Sequence, residues 1–162
     1  MIRGSRRAKK GYFLRAESFY NVASQTEVYR DTTPKEIYYA MYGGKSLHEQ
    51  SHGESFLALV QENFSPDGLY ILDEPEAALS PQRQLTLLLE IARLSGQGAQ
   101  FLIATHSPIF LGLPGAQILS LDGGRLHSCE YADTESYRVM EMFINNREEL
   151  LRFLWEEGET DE

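Results

Sequence analysis

Two adjacent carboxylates, Asp73 and Glu74, close the apolar run Leu69-Tyr70-Ile71-Leu72. Acids emerging from a buried strand are costly unless they face a cation or a solvent-filled site. In such a site the first could hold Mg²⁺ through water, while the second orients and activates an attacking water, the arrangement of a Walker B element. His106 closes the next apolar run, in Ala104-Thr105-His106-Ser107-Pro108, where an imidazole could hydrogen-bond a phosphate or the water-activating carboxylate. Each has a plainer reading taken singly: strand-end punctuation for the acids, a satisfied structural histidine for His106. A third group, Ser51-His52-Gly53-Glu54, stands at the start of a helical pattern. Free backbone N–H groups at a helix start favour an anion, and Ser51 with Glu54 also fits a capping box.

The elements that must carry these residues follow from periodicity and punctuation. A strand is predicted over residues 11–18, and a short helix from Thr33 and Pro34 to Gly43. Phe56, Leu57, Val60 and Phe64 are spaced as the buried face of a helix beginning near Glu54. The run ending in Asp73 shows no alternation, as expected of a strand covered on both faces. Ser80 and Pro81 open an amphipathic helix that ends in a Gly-rich stretch. A second buried strand leads to His106, a third covers 116–122, and residues 124–131 form the return arm of a hairpin. Residues 134–157 read as two helices broken near Asn145-Asn146. Strand, helix, strand in this order predicts an α/β fold with a mostly parallel central sheet and a C-terminal helical pair. Function in such sheets gathers at the carboxyl ends of the strands, where these charged residues fall.

One domain is the default for 162 residues. The boundaries predicted are a basic flexible tail over 1–10, one domain over 11–157 and a frayed end over 158–162. Six positive charges and no acids occupy the first fifteen residues, leaving nine positives against 24 acids, a net −15, for the rest. Such an acidic body argues against nonspecific nucleic-acid binding; a DNA partner is compatible with the basic arm but has no other support. Cys129 is the single cysteine, so an intramolecular disulfide and a cysteine-rich zinc site are excluded. With no apolar run long enough to span a membrane and no secretory pattern at the start, a cytoplasmic protein without direct membrane insertion is expected.

The ordered set of Ser51-His52-Gly53-Glu54, helix, strand with Asp73-Glu74-Pro75, Glu76-Ala77-Ala78-Leu79-Ser80, helix, and strand with Thr105-His106-Ser107-Pro108 closely resembles the second half of an ABC-type ATPase nucleotide-binding domain. The likeness is greatest to the SMC-like branch and to small bacterial AAA family ATPases, and it spans residues 11–155. It implies a partial P-loop NTPase fold that hydrolyses ATP with Mg²⁺. Ser51 to Glu54 would be the signature, contacting the γ-phosphate held by the other subunit of a head-to-tail dimer. Asp73 would bind Mg²⁺ through water, Glu74 would be the general base, and His106 would sense the γ-phosphate. Ala78 to Ser80 would be the D-loop, with Ser80 at the dimer interface.

The family pattern begins with G-x-x-x-x-G-K-[ST], and the one candidate here is Gly44-Lys45-Ser46. Its first glycine would fall at Tyr39, no apolar strand leads into it, and no helix opens after it, so it reads as a turn. A Q-loop glutamine is not assigned; Gln25 and Gln50 fit by type alone. The chain is therefore read as a truncated ATPase, with a split protein or a degenerate relative as alternatives. In the second reading the chain is a non-catalytic module that offers its signature to a P-loop-bearing partner.

Overall fold

In the computed structural model, residues 10–16 and 52–158 are described. The expected basic tail up to residue 9, the helix near 33–43, Gly44-Lys45-Ser46, Gln25, Gln50, Ser51 and the last four residues lie outside them. The chain divides into two compact units, Met1–Phe110 and Leu111–Glu162.

The first unit is built on a parallel sheet in the order β1 (Lys10–Arg15), β2 (Gly68–Asp73), β3 (Gln100–Ala104). Helix α1 (His52–Asn63) precedes β2, and α2 (Pro81–Gly96) joins β2 to β3. A 3₁₀ turn, Pro75–Ala78, stands between β2 and α2, and a short helix α3 (Pro108–Leu111) follows β3. The parallel sheet flanked by helices is the α/β architecture expected from the sequence. Strand β1 ends at Arg15, short of residue 18, and α1 starts at His52, ahead of Glu54.

Residues two apart on each strand face the same side. Register therefore aligns Tyr12, Tyr70 and Phe101 in one row and Leu14, Leu72 and Ile103 in the next. Phe64, just past α1, lies on the first row, its ring centroid 3.8 Å from that of Tyr70. Phe56 and Val60 of α1 and Leu87, Ile91 and Leu94 of α2 complete this core, all essentially buried. Each such side chain contributes about 1.5–3 kcal/mol through the area it removes from water. The Tyr70 hydroxyl accepts from the Ser65 N–H at 2.6 Å and donates to the Ser65 carbonyl at 3.1 Å, closing the turn into β2. A Cβ on Gly68 would stand 2.0 Å from that hydroxyl, so the tyrosine requires a glycine two residues earlier.

The opposite face carries Phe13, Ile71 and Leu102 in one row. Phe13 is 64% and Leu102 61% exposed. Ile71 of β2, the strand expected to be covered on both faces, is half-buried, while its neighbours in the row on β1 and β3 are exposed among the described residues. Unbroken apolar runs encode two apolar faces; they do not encode what lies on each.

On the outer side of α2, Arg93 hydrogen-bonds Glu90 one turn earlier and holds that carboxyl below its ordinary range, against the upward push of partial burial. The stability this adds is present at neutral pH and is lost as pH falls through the lowered value.

In the second unit β4 (Ile118–Ser120) and β5 (His127–Cys129) pair antiparallel, with Gly123 and Gly124 at positive φ in the turn. The third apolar strand thus belongs to the hairpin. Helix α4 (Glu135–Gly158) is interrupted at Asn146, whose φ of −132° and ψ of 32° leave the helical region, matching the break expected between two helical halves. Trp155, near its end, is 68% exposed. No described helix is long and apolar enough to cross a membrane.

Candidate active site at the carboxyl edge of the sheet

Asp73 is the last residue of β2, in register with Arg15 of β1 and Ala104 of β3. The Arg15 Nε lies 3.2 Å from Asp73 Oδ2, and the Asp73 side chain is 32% exposed. Sequence reading overlooked Arg15; its signal was a charge closing an apolar strand, the same signal that singled out Asp73.

Glu74 follows with φ 48° and ψ 51°, the one non-glycine residue at positive φ among those described. A left-handed conformation costs a side-chain-bearing residue about 1–2 kcal/mol, so the surroundings must impose it. They do so by two backbone bonds: the Glu74 N–H donates to the Ala104 carbonyl at 2.9 Å, and the Glu74 carbonyl accepts from the Ala77 N–H at 3.1 Å. Strain of this kind gathers at functional sites, because the fold must hold a side chain where relaxed backbone would not.

His106, two residues past β3, is exposed. Its backbone N–H donates to Glu76 Oε1 at 2.7 Å, and the Thr105 hydroxyl donates to Glu76 Oε2 at 2.7 Å. The Ser107 N–H in turn donates to Thr105 Oγ1 at 3.0 Å. Behind this loop the Ser107 hydroxyl donates to Gln84 Oε1 at 2.6 Å, and Gln84 Nε2 donates to the Leu79 carbonyl at 3.1 Å. Ser107 and Gln84 are both buried, and no buried side-chain polar atom among the described residues lacks a partner. Glu76, Thr105, Ser107 and Gln84 escaped the sequence reading because the partners that join the two loops are 23 to 30 residues apart.

Gly53 and Glu54 stand in the first turn of α1, against the turn that carries Ala78. The Arg83 Nη2 donates to Glu54 Oε1 at 2.9 Å. A Cβ on Gly53 would lie 2.9 Å from Arg83 Cδ and 3.1 Å from the Ala78 carbonyl. The arginine can move aside; the carbonyl belongs to backbone. Gly53→Ala is accordingly expected to cost about 1–2 kcal/mol, measured as a lower denaturant midpoint with an unchanged slope. Ser80 is the N-cap of α2 as expected, with Pro81 behind it, but its side chain makes no capping bond; the Ser80 carbonyl accepts from the Gln84 N–H at 2.9 Å.

Asp73, Glu74 and His106 therefore come together at the carboxyl ends of β2 and β3, while Gly53 and Glu54 stand against Arg83 and Ser80 opens α2. No three His, Cys, Asp or Glu side chains converge to hold a metal among the described residues. Mg²⁺ usually binds one or two carboxylates together with substrate phosphates, so the partly exposed Asp73 suits that ion in type, with Arg15 at 3.2 Å as the cation it would compete with.

A parallel sheet with acids at its carboxyl edge and helices on one face defines an α/β domain consistent with part of a P-loop NTPase. Residues 47–112 match the family model described as "AAA domain, putative AbiEii toxin, Type IV TA system", a P-loop NTPase family. The family generally binds ATP with Mg²⁺, so the match points to nucleotide-binding, ATPase-like activity. Its limits take in Ser51, Gly53, Glu54, Asp73, Glu74, Ser80 and His106, and begin after Gly44-Lys45-Ser46. No curated protein and no solved structure matches the chain.

Proposed function

We propose that this chain is the hydrolytic portion of an ABC-type ATPase, acting on MgATP in a composite site between two subunits. The observation that carries the reading is the left-handed Glu74 directly after Asp73, at the edge that also presents His106. Asp73 would hold Mg²⁺, which would supply positive charge beside the phosphates. Glu74 orients the attacking water and takes its proton. His106 hydrogen-bonds the γ-phosphate. Gly53 and Glu54, in the first turn of α1, serve the nucleotide of the facing subunit together with Ser51, and Ser80 lines the same junction. The phosphate grip comes from a G-x-x-x-x-G-K-[ST] segment on another polypeptide or in a longer form of this one.

The test combines the 162-residue chain with a P-loop-bearing polypeptide of the same family and follows phosphate release from MgATP. The expected result is turnover that requires both components. A second reading, in which the chain is a non-catalytic module, is favoured by the missing P-loop pattern. It predicts no MgATP binding by the isolated chain in calorimetry, and stimulation of a partner's ATPase that survives replacement of Glu74. Loss of stimulation with Glu74→Gln supports the catalytic reading instead.

A further inference from the structure

The hydrogen bonds around His106 form a clamp with one charged member. Glu76 lies on the 3₁₀ turn between the strained Glu74 and Ser80, yet its carboxylate accepts from two groups on the loop after β3: the Thr105 hydroxyl and the His106 N–H, both at 2.7 Å. Each oxygen takes one donor, so the loop is held in direction as well as in distance. Bonds from an N–H or O–H to a carboxylate are roughly twice as strong as neutral ones. The same loop is tied from behind by Ser107 and Gln84 to the Leu79 carbonyl. The turn after β2 and the loop after β3 are thereby locked at two points, one partly exposed and charged, the other buried and neutral.

We infer that Glu76 is the positioning residue for His106, fixing its backbone so that the imidazole stays presented at the carboxyl edge of the sheet; this rests on the ATPase reading above. The buried Ser107–Gln84 tie keeps the loop folded when Glu76 is changed, so Glu76 sets where His106 points without deciding whether the domain forms. The chemistry also distinguishes substitutions. Gln at position 76 can accept the His106 N–H through its carbonyl oxygen and donate to Thr105 Oγ1, whereas Ala can do neither.

The experiment measures amide exchange by NMR on the full chain. In Glu76→Ala the His106 amide is expected to exchange about tenfold faster or more, the loss of a bond to a charged acceptor, while Leu72 and Leu87 amides are unchanged. Glu76→Gln is expected to restore most of the protection. Thr105→Val, which removes only the hydroxyl, should give an intermediate value and guards against misfolding of the Ala variant. In the reconstituted ATPase, Glu76→Ala should lower kcat with little change in KM, and Gln should rescue it. An unchanged His106 amide in Glu76→Ala, no rescue by Gln, or full turnover with a loosened loop would each overturn the inference. If the wild-type pair shows no turnover at all, the ATPase reading fails, and the exchange data alone decide whether the clamp exists.

Discussion

Glu74→Gln is expected to reduce ATP turnover by about 10²- to 10⁴-fold, the range over which a positioned general base contributes. In the same mixture, ATP-dependent association of the subunits should strengthen, because bound nucleotide is no longer consumed. Gln has nearly the shape of Glu and meets the same left-handed backbone, so the denaturant midpoint should stay where it is. Two companion variants separate chemistry from conformation. Glu74→Gly relieves a strain of about 1–2 kcal/mol but adds about 0.5–1 kcal/mol of chain entropy to lose on folding, so its stability should match or slightly exceed wild type despite lost turnover. Glu74→Val places a branched side chain at φ 48°, a genuine outlier for such a residue, and should be the least stable of the three. Turnover by the Gln variant at the wild-type rate would end the assignment of Glu74 as general base.

The largest effect on folding is expected at Tyr70. Replacing it by Ala removes a fully buried ring that stacks on Phe64 at 3.8 Å and lies 5.1 Å from Phe101. Loss of a large buried aromatic costs about 3–5 kcal/mol, against a total of about 5–15 kcal/mol for a typical native domain. Tyr70→Phe keeps the ring and gives up only the two bonds to Ser65, at about 1–2 kcal/mol. Chemical denaturation of the three proteins should rank wild type, Phe, Ala in descending midpoint. If Ala is no worse than Phe, the aromatic stack is not what holds α1 to the sheet.

What the sequence revealed and what it concealed divide along a physical line. Ser80, Pro81 and the Gly-rich end marked α2 because capping is decided within a few residues. The interruption at Asn146 was visible as a break in the apolar stripe, and the parallel pairing of β2 and β3 followed from the length of the helix between them. Asp73, Glu74 and His106 stood out because a charge ending an apolar strand is conspicuous in one dimension. The Arg15–Asp73 ion pair, the Glu76 clamp and the contact of Gly53 with the Ala78 carbonyl are decided by residues far apart in the chain, so no local pattern betrays them. The left-handed backbone of Glu74 was equally hidden: Glu has no preference for it, and it is held in part by a long-range backbone bond to Ala104. The open Phe13–Leu102 row shows the converse, since an apolar pattern is silent about whether anything covers it.

Trp155 is the only tryptophan in the chain, and it sits 68% exposed near the end of α4. Its emission should already lie close to that of a solvated indole in the native protein, and it belongs to the unit that does not contain the Tyr70 core. A tryptophan-fluorescence melt would therefore change little on unfolding and would be a poor probe of the sheet unit. The optical probe suited to the core is the near-ultraviolet dichroism of the stacked Tyr12, Phe64, Tyr70 and Phe101 rings, whose signal exists only while they are held in a fixed chiral arrangement.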